Sequence, residues 1–226
     1  DDSIVRAMYK KLGVSGVPLG VPEVEPNLTT GRIDACYGSP LAAVALQWNT
    51  KVKYMTTLAM SFAIGATVSG NIAMAGQRDT YSFALGERTK LVFDTLSDAN
   101  LNWTLTGPRG VVVNDRTFRG SDANDFGGNP LLDLAAGNYT LVVDGTTDIT
   151  SPYAFRLLDL ANAAVLTPGT VRSDTVSPGT QTLMYRFEAQ AGEHLYFDMQ
   201  ASLPDGQWRL ISPHGDLVFN DHVTSD

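Results

Sequence analysis

The sequence predicts a mainly β protein, in which tandem β-sandwich or jelly-roll repeats follow a small N-terminal α/β segment. Helical periodicity is confined to the first 68 residues, short alternating runs bounded by turn residues fill the rest, and several motifs occur twice in the same order. We therefore divide the chain into an α/β fragment (1–68), a first repeat (69–160), a linker (161–178) and an incomplete second repeat (179–226).

The internal repeat is the main basis for this division. Five short motifs return in order, at an offset that begins at 104 residues and grows to 106. They begin at Tyr81, Leu91, Trp103, Pro108 and Asn114, and return at Tyr185, Leu195, Trp208, Pro213 and Asn220. Self-similarity of this kind indicates two copies of one structural unit. Because residues 130–158 have no later counterpart, we expect an incomplete second copy and a chain that is a piece of a longer tandem array.

Composition and charge exclude several classes of protein. The 226 residues are 43% hydrophobic, which is enough to form a core, and the net charge of −8 argues against a nucleic-acid partner. No apolar run approaches the roughly 18 residues that a membrane span requires. The chain opens on Asp1 without the basic and apolar segments of a signal peptide, so we expect a removed leader or a fragment. Cys36 is the single cysteine, which precludes an internal disulfide.

Residues 1–68 carry the alternation of helices and strands that is typical of α/β folds. Capping residues, prolines and 3.6-residue periodicity predict helices over 4–12, 22–31 and 41–48. Apolar runs predict strands over 33–37, 51–58 and 61–68. In such folds ligands bind beyond strand ends at helix N-termini. That rule gives three candidate ligand-binding residues: Tyr37, Ser39 and Pro40.

The segment that contains these three residues resembles a known family. Residues 28–40 read Leu-Thr-Thr-Gly-Arg-Ile-Asp-Ala-Cys-Tyr-Gly-Ser-Pro, and together with residues 11–13 and 17–24 they are similar to the solute-binding proteins of TRAP transporters. The resemblance covers about residues 4–68. It implies binding of a small carboxylate beside Tyr37 and Ser39, and a partnership with TRAP membrane subunits.

Seven strands are predicted in the first repeat. Short alternating runs, separated by Gly, Pro, Asn or Asp, occupy residues 80–85, 89–94, 101–106, 110–114, 131–134, 138–144 and 153–158. Seven strands in so short a stretch are typical of a sandwich or jelly roll. Alternation at a period of two residues places four aromatic side chains on the inner face: Phe83, Phe93, Trp103 and Tyr139.

Motifs in this region resemble those of bacterial pre-peptidase C-terminal domains. They occupy residues 79–83, 107–110, 136–143 and 152–157. The resemblance covers residues 70–160 fully and residues 168–226 in part. It implies a secreted β-sandwich that is appended to a protease or to a large surface protein.

The sequence contains few residues that point to chemistry. The local motifs of serine hydrolases, zinc proteases and phosphate-binding loops are absent, and all three histidines fall in the second copy, so we predict that the protein is not an enzyme and needs no cofactor. Calcium is the candidate metal, because one loop offers oxygen ligands from Asp122, Asn124 and Asp125. Asp94 and Asp98 lie near another turn. The spacing matches no EF-hand.

Three functions stay open at this point. The first is a non-catalytic extracytoplasmic β-sandwich repeat module, acting as a spacer, adhesion or accessory binding element of a larger exported bacterial protein. The second is a remnant of a TRAP-type solute receptor that binds small carboxylates. The third is an accessory role beside the catalytic domain of a secreted protease. All three imply a periplasmic, secreted or cell-surface protein whose main partner is the rest of a parent chain.

Overall fold

The computed structural model describes residues 9–11, 13–36, 40–53, 60–122, 128–145, 147, 149–200, 202–203 and 205–223, with the backbone alone at residues 40 and 41. The chain forms two compact units, Asp1–Thr57 and Leu58–Asp226. The boundary predicted between residues 68 and 69 therefore falls inside the second unit. No helix in the described part of the chain is long and apolar enough to cross a membrane.

The described part of the first unit is helical. Helix α1 (Val21–Thr29) begins after Gly20, whose backbone N–H donates a hydrogen bond of 2.6 Å to the side chain of Glu23. Helix α2 (Pro40–Ala45) follows, and a 3₁₀ turn (Trp48–Thr50) comes after it. These helices confirm two of the three predicted ones, and most of the helix predicted over 4–12 lies outside the described residues.

The α/β alternation predicted for residues 1–68 is not observed in the described residues. Residues 33–36, predicted as a strand, and residues 51–53 are irregular. A strand is stable only when hydrogen-bonded neighbours complete a sheet, and the described part of this unit offers none. The strand predicted over 61–68 is replaced by a short strand, a turn and the start of another strand, all of which belong to the second unit.

The second unit contains a β-sandwich of two sheets. Its strands are β1 (Met60–Ser61), β2 (Val68–Ile72), β3 (Arg78–Leu85), β4 (Thr89–Thr95), β5 (Leu101–Gly107), β6 (Gly110–Thr117), β7 (Leu131–Leu134), β8 (Gly137–Gly145) and β9 (Ser151–Asp159). One sheet has the order β1-β3-β8-β5-β6 and the other the order β2-β9-β4-β7. The seven predicted strands correspond to β3 through β9, so the mainly β sandwich fold is confirmed.

Aromatic and aliphatic side chains from both sheets fill the space between them. The four aromatic residues predicted to lie inside are buried: Phe83, Phe93, Trp103 and Tyr139. Phe93 stacks on Trp103, with ring centroids 4.0 Å apart, and on Phe155 at 5.0 Å. Such stacked pairs add about 0.5–1.5 kcal/mol each to the stabilisation that burial provides.

The second copy repeats two strand pairs of the first. Its strands are β10 (Ala164–Val165), β11 (Tyr185–Arg186), β12 (Gln207–Ile211) and β13 (Leu217–His222). β10 pairs in parallel with β11 as β1 pairs with β3, and β12 pairs antiparallel with β13 as β5 pairs with β6, although β5–β6 has a second register shift that β12–β13 lacks. The predicted linker is 161–178, and two of its residues, Ala164 and Val165, form β10 and pair with the second repeat.

Two segments of the second copy do not form the strands that their counterparts form. Residues 172–176 and 193–199, the counterparts of most of β2 and β4, are irregular. In the first copy β9 hydrogen-bonds to both β2 and β4. The described part of the second copy contains no counterpart of β9, so these segments lack a pairing partner. Four aromatic side chains of the second copy contact one another and are only half-buried: Phe187, Phe197, Trp208 and Phe219.

Candidate functional site: the junction between the repeats

The outward side of β4 is buried, although only its inward side contributes to the sandwich core. Leu91 and Phe93 belong to the core, so alternation points Val92 and Asp94 away from it. Nevertheless Val92 is 4% exposed and Asp94 is 0% exposed. Residues of the second copy make hydrogen bonds on this side, and we call this contact the repeat junction.

Asp94 is bonded to both repeats. Its Oδ2 accepts a hydrogen bond of 2.5 Å from Nε of Arg156 in β9, and its Oδ1 accepts one of 2.8 Å from the backbone N–H of Thr182 in the second copy. Arg156 also donates to the carbonyl oxygen of Thr182 at 3.4 Å. A carboxylate this deeply buried is tolerated only when cations and donors replace its water.

Asp122, in the loop after β6, supplies a second buried carboxyl group. Its Oδ1 accepts from the hydroxyl of Thr95 at 2.9 Å, and its Oδ2 accepts from the hydroxyl of Thr182 at 2.7 Å. Its main-chain carbonyl accepts a hydrogen bond of 2.7 Å from Nη1 of Arg209 in β12. Asp122 therefore holds both the start of the second repeat and its hairpin.

The electrostatics of the junction favour a single proton on the pair of carboxyl groups formed by Asp94 and Asp122. Burial, together with the neighbouring charge of Asp94, raises the pKa of Asp122 to about 7, although the hydrogen bonds from Thr182 and Thr95 act in the opposite direction. Burial also raises the pKa of Asp94, while the Thr182 N–H and the Arg156 guanidinium act in the opposite direction. Burial lowers the pKa of Arg209. Because Arg156 binds Asp94 directly, we assign the proton to Asp122.

The tip of the β12–β13 hairpin makes the remaining described contacts of the junction. Lys90 donates to the carbonyl of Pro213 at 2.8 Å, and Asn129 donates to the carbonyl of Gly215 at 2.7 Å. Gly215 has a φ of +101°, and a Cβ atom there would lie 3.0 Å from Leu131. A cleft of about 470 Å³ opens beside this contact and is lined by Arg88, Lys90, Asp133, Pro213 and His214.

A second polar cluster lies inside the sandwich. The hydroxyl of Tyr153 donates to Asp79 at 2.6 Å and lies 2.6 Å from the hydroxyl of Tyr81. Burial raises the pKa of both tyrosines, so both stay protonated. Gly70 provides their space, since a Cβ atom there would lie 2.4 Å from the Tyr153 hydroxyl. The cluster fixes the packing of β2 and β3 and does not expose a reactive group.

The candidate ligand-binding residues are only partly described. Tyr37 and Ser39 lie outside the described residues, and Pro40 is the first residue of α2. A carboxylate site at this helix start, and with it the resemblance to TRAP solute-binding proteins, stays a prediction.

The candidate calcium ligands are also only partly described. Asn124 and Asp125 lie outside the described residues, whereas Asp122 directs both carboxyl oxygens to threonine donors. Asp98 pairs with Arg119 at 2.6 Å, and Asp94 belongs to the junction. Among described residues, no three His, Cys, Asp or Glu side chains are grouped to hold a metal ion. Calcium binding in this loop stays a prediction.

Sequence reasoning missed the residues that the second repeat contributes to the junction. Thr182 and Arg209 belong to no motif, and their role depends on a contact between segments far apart in the chain. One signal was available. Asp94 ends an apolar run and returns as Asp198, and an acidic residue retained in both copies of a β-strand motif suggests a structural role on the outer side of that strand.

Comparisons with known proteins reach only the level of fold. No protein-family model and no curated protein matches the chain. Solved structures do match. One is PliG of Salmonella Typhimurium, a periplasmic inhibitor of g-type lysozyme. It is 23% identical, the match covers 44% of this chain and 96% of PliG, and the TM-score is 0.35. A PliG mutant from Escherichia coli has 19% identity, covers 45% of this chain and 99% of its own, and has a TM-score of 0.32.

The pre-peptidase C-terminal domain of collagenase from Bacillus anthracis matches as well. It has 14% identity and a TM-score of 0.37, and the match covers 46% of this chain and 99% of that domain. Each match spans less than half of this chain.

Proposed function

We propose that this chain is a non-catalytic module of tandem β-sandwich repeats, which acts as a spacer of fixed geometry in a larger extracytoplasmic protein. The observation that carries the proposal is the repeat junction. Asp94 and Asp122 of the first repeat accept three hydrogen bonds from Thr182 and Arg209 of the second, one of them at the main-chain carbonyl of Asp122. Arg156 of the first repeat donates a fourth to the carbonyl of Thr182. Contacts of this kind restrain the angle between repeats.

The connection between the repeats supports the same proposal. β9 ends at Asp159, a short 3₁₀ turn (Leu160–Asn162) follows, and β10 of the second repeat begins at Ala164. Asp159 accepts a hydrogen bond of 2.9 Å from the backbone N–H of Ala161, which orders this turn. Flexible linkers are longer and rich in Gly and Ser, so this connection restricts the motion of one repeat against the other.

Small-angle X-ray scattering tests the proposal. We compare the chain with an Arg209→Ala variant, which removes the hydrogen bond to the Asp122 carbonyl. The control is Arg172→Ala, which removes an exposed ion pair with Asp174 inside the second repeat. The proposal predicts equal maximum dimensions for the chain and the control, and a larger one for Arg209→Ala. Equal maximum dimensions for the chain and Arg209→Ala would refute the fixed spacer and leave an adhesion or accessory role.

A further inference from the structure

We propose that the outward face of residues 194–198 in the second repeat is a docking surface for a second copy of this chain, and that it receives the turn between β5 and β6 of that copy. The inference rests on the proposed function, because it applies the contact between the two repeats once more, between two chains. We call this surface the 194–198 face.

The repeat offset gives every residue of this face a counterpart in the junction. At an offset of 104, the outward residues His194, Tyr196 and Asp198 correspond to Lys90, Val92 and Asp94. Lys90 and Asp94 form hydrogen bonds with the second repeat, and Val92 between them is buried. The same side of the second repeat therefore has the chemistry of a receiving surface: a basic side chain, an apolar centre and a carboxylate.

The 194–198 face is open to solvent. Phe197 packs on Phe187 and Trp208, with ring centroids 5.7 Å and 5.6 Å away, whereas the residues on either side of it, Tyr196 and Asp198, are exposed. Tyr196 is 78% exposed, whereas its counterpart Val92 is 4% exposed. Exposed tyrosines are enriched among the residues that dominate protein interfaces.

Each copy of the chain also carries the complementary surface. In the junction the occupant is the β12–β13 turn together with Thr182. The corresponding residues of the first repeat are Pro108 and Gly110 in the β5–β6 turn, and Arg78 at the start of β3. The two turns share their geometry, since Gly110 has a φ of +104° and Gly215 one of +101°. Pro108 and Gly110 are exposed, and so is the side chain of Arg78.

Charge favours this pairing of surfaces. Asp94 accepts from the backbone N–H of Thr182 in the junction, and the counterpart of Thr182 is Arg78, whose exposed guanidinium pairs with Asp144 of its own sandwich. The contact between chains would add the carboxylate of Asp198 as a second anionic neighbour of Arg78. Arg109, at the tip of the same turn, would lie beside Glu193 at the edge of the face. Complementary charges at the rim of an interface guide association and select the orientation.

The contact joins two different surfaces, so it is head to tail and does not close on itself. Such heterologous interfaces generate open chains of molecules rather than symmetric dimers. We therefore expect association that continues with concentration and extends the spacing of repeats along one direction.

Site-directed cross-linking tests this inference. Both chains carry Cys36→Ser, one carries Arg109→Cys and the other His194→Cys, and a short bismaleimide links them. Within a single chain the equivalent positions are His214 and Lys90, which line one cleft. A Lys90→Cys and His214→Cys chain therefore reports on the junction alone. Val171→Cys, at a residue that is 80% exposed and off both surfaces, measures random collision.

We expect the mixture of Arg109→Cys and His194→Cys to yield several-fold more dimer than either one with Val171→Cys. Adding Tyr196→Ser should reduce the yield to that of random collision, whereas adding Val218→Ser, at another exposed apolar residue, should not. If the link within one chain forms but the dimer yield equals that of random collision, the docking surface is refuted and the fixed spacer stands. If the link within one chain also fails, the proposed function is refuted with it.

Discussion

Oδ1 of Asp94 accepts a hydrogen bond of 2.8 Å from the backbone N–H of Thr182, 88 residues further along the chain. Asp94 is the outward residue of a central strand in one repeat, and Thr182 lies just before β11 of the next. This bond and the neighbouring contact of the Thr182 hydroxyl with Asp122 place the second repeat against the first.

Replacing Thr182 by Val should weaken the junction. The change preserves the size of the side chain and removes the hydroxyl that donates to Asp122 at 2.7 Å. Because it leaves a buried carboxyl oxygen with one donor fewer, we expect a loss of about 1–2 kcal/mol in the free energy of unfolding by urea. Thr180→Val is the matched control. Its hydroxyl is buried and makes no hydrogen bond among the described residues, so its loss should be neutral or stabilising.

Asp122→Asn should make stability less dependent on pH. Burial raises the pKa of Asp122 from 3.8 to about 7, so its contribution is fully present below pH 4 and is lost as the pH rises through 7. Above pH 7 the ionised group lowers the free energy of unfolding by at most about 4 kcal/mol. The neutral amide avoids this cost.

The measurement is the difference in unfolding free energy between Asp122→Asn and the chain, taken from pH 4 to pH 8. Taking the difference cancels the titration of all other groups. We expect it to rise in favour of the variant as the pH increases. A difference that stays constant, or that falls, would show that Asp122 is ionised throughout this range.

Gly70→Ala should destabilise the sandwich. The added Cβ would lie 2.4 Å from the hydroxyl of Tyr153 and 2.8 Å from that of Tyr81, inside the buried tyrosine cluster. Crowding of this kind costs typically about 1–3 kcal/mol, because the side chains must leave their preferred positions. Gly86→Ala is the control, since its Cβ would have no heavy atom within 4 Å. Thermal unfolding of the two variants separates the outcomes, and equal midpoints would contradict the packing described here.

The second repeat should be the less stable half. The described strands of the second repeat form two separate two-stranded sheets, β10–β11 and β12–β13, and its aromatic cluster is only half-buried. Amides that lack a complete sheet and core open by local unfolding at lower cost. We expect hydrogen exchange to be faster for β12 and β13 than for β5 and β8 by several orders of magnitude. Equal protection of these two strand pairs in a monomer would contradict this prediction.

The sandwich could be predicted because its information is local. Buried and less buried residues alternate in β3, β8 and β9, and the inner residues are those that alternation selects, such as Phe83 and Tyr139. The motif repeat also predicted the second copy. The pairing of β10 with β11 was missed, because a strand of two residues has no period to detect.

The junction and the first unit could not be predicted by the same reasoning. Residues 33–36 have the apolar pattern of a strand, but a pattern specifies a strand only where a partner is available. Thr182 and Arg209 act through contacts with residues of the other repeat, and nothing in their own neighbourhood of the sequence indicates this. Asp94 lies near a predicted turn, and its partners in the structure are Arg156 and Thr182.

The exchange rate of one backbone amide tests the central claim most directly. If the second repeat is held against the first, the N–H of Thr182 is bonded to a carboxylate that is 0% exposed and should be protected from exchange. We expect protection of the Thr182 amide, measured by nuclear magnetic resonance, to match that of amides in β4 and to fall in Arg209→Ala. Exchange at the rate of an unstructured peptide, with β4 still protected, would contradict the account and show that the repeats are not docked.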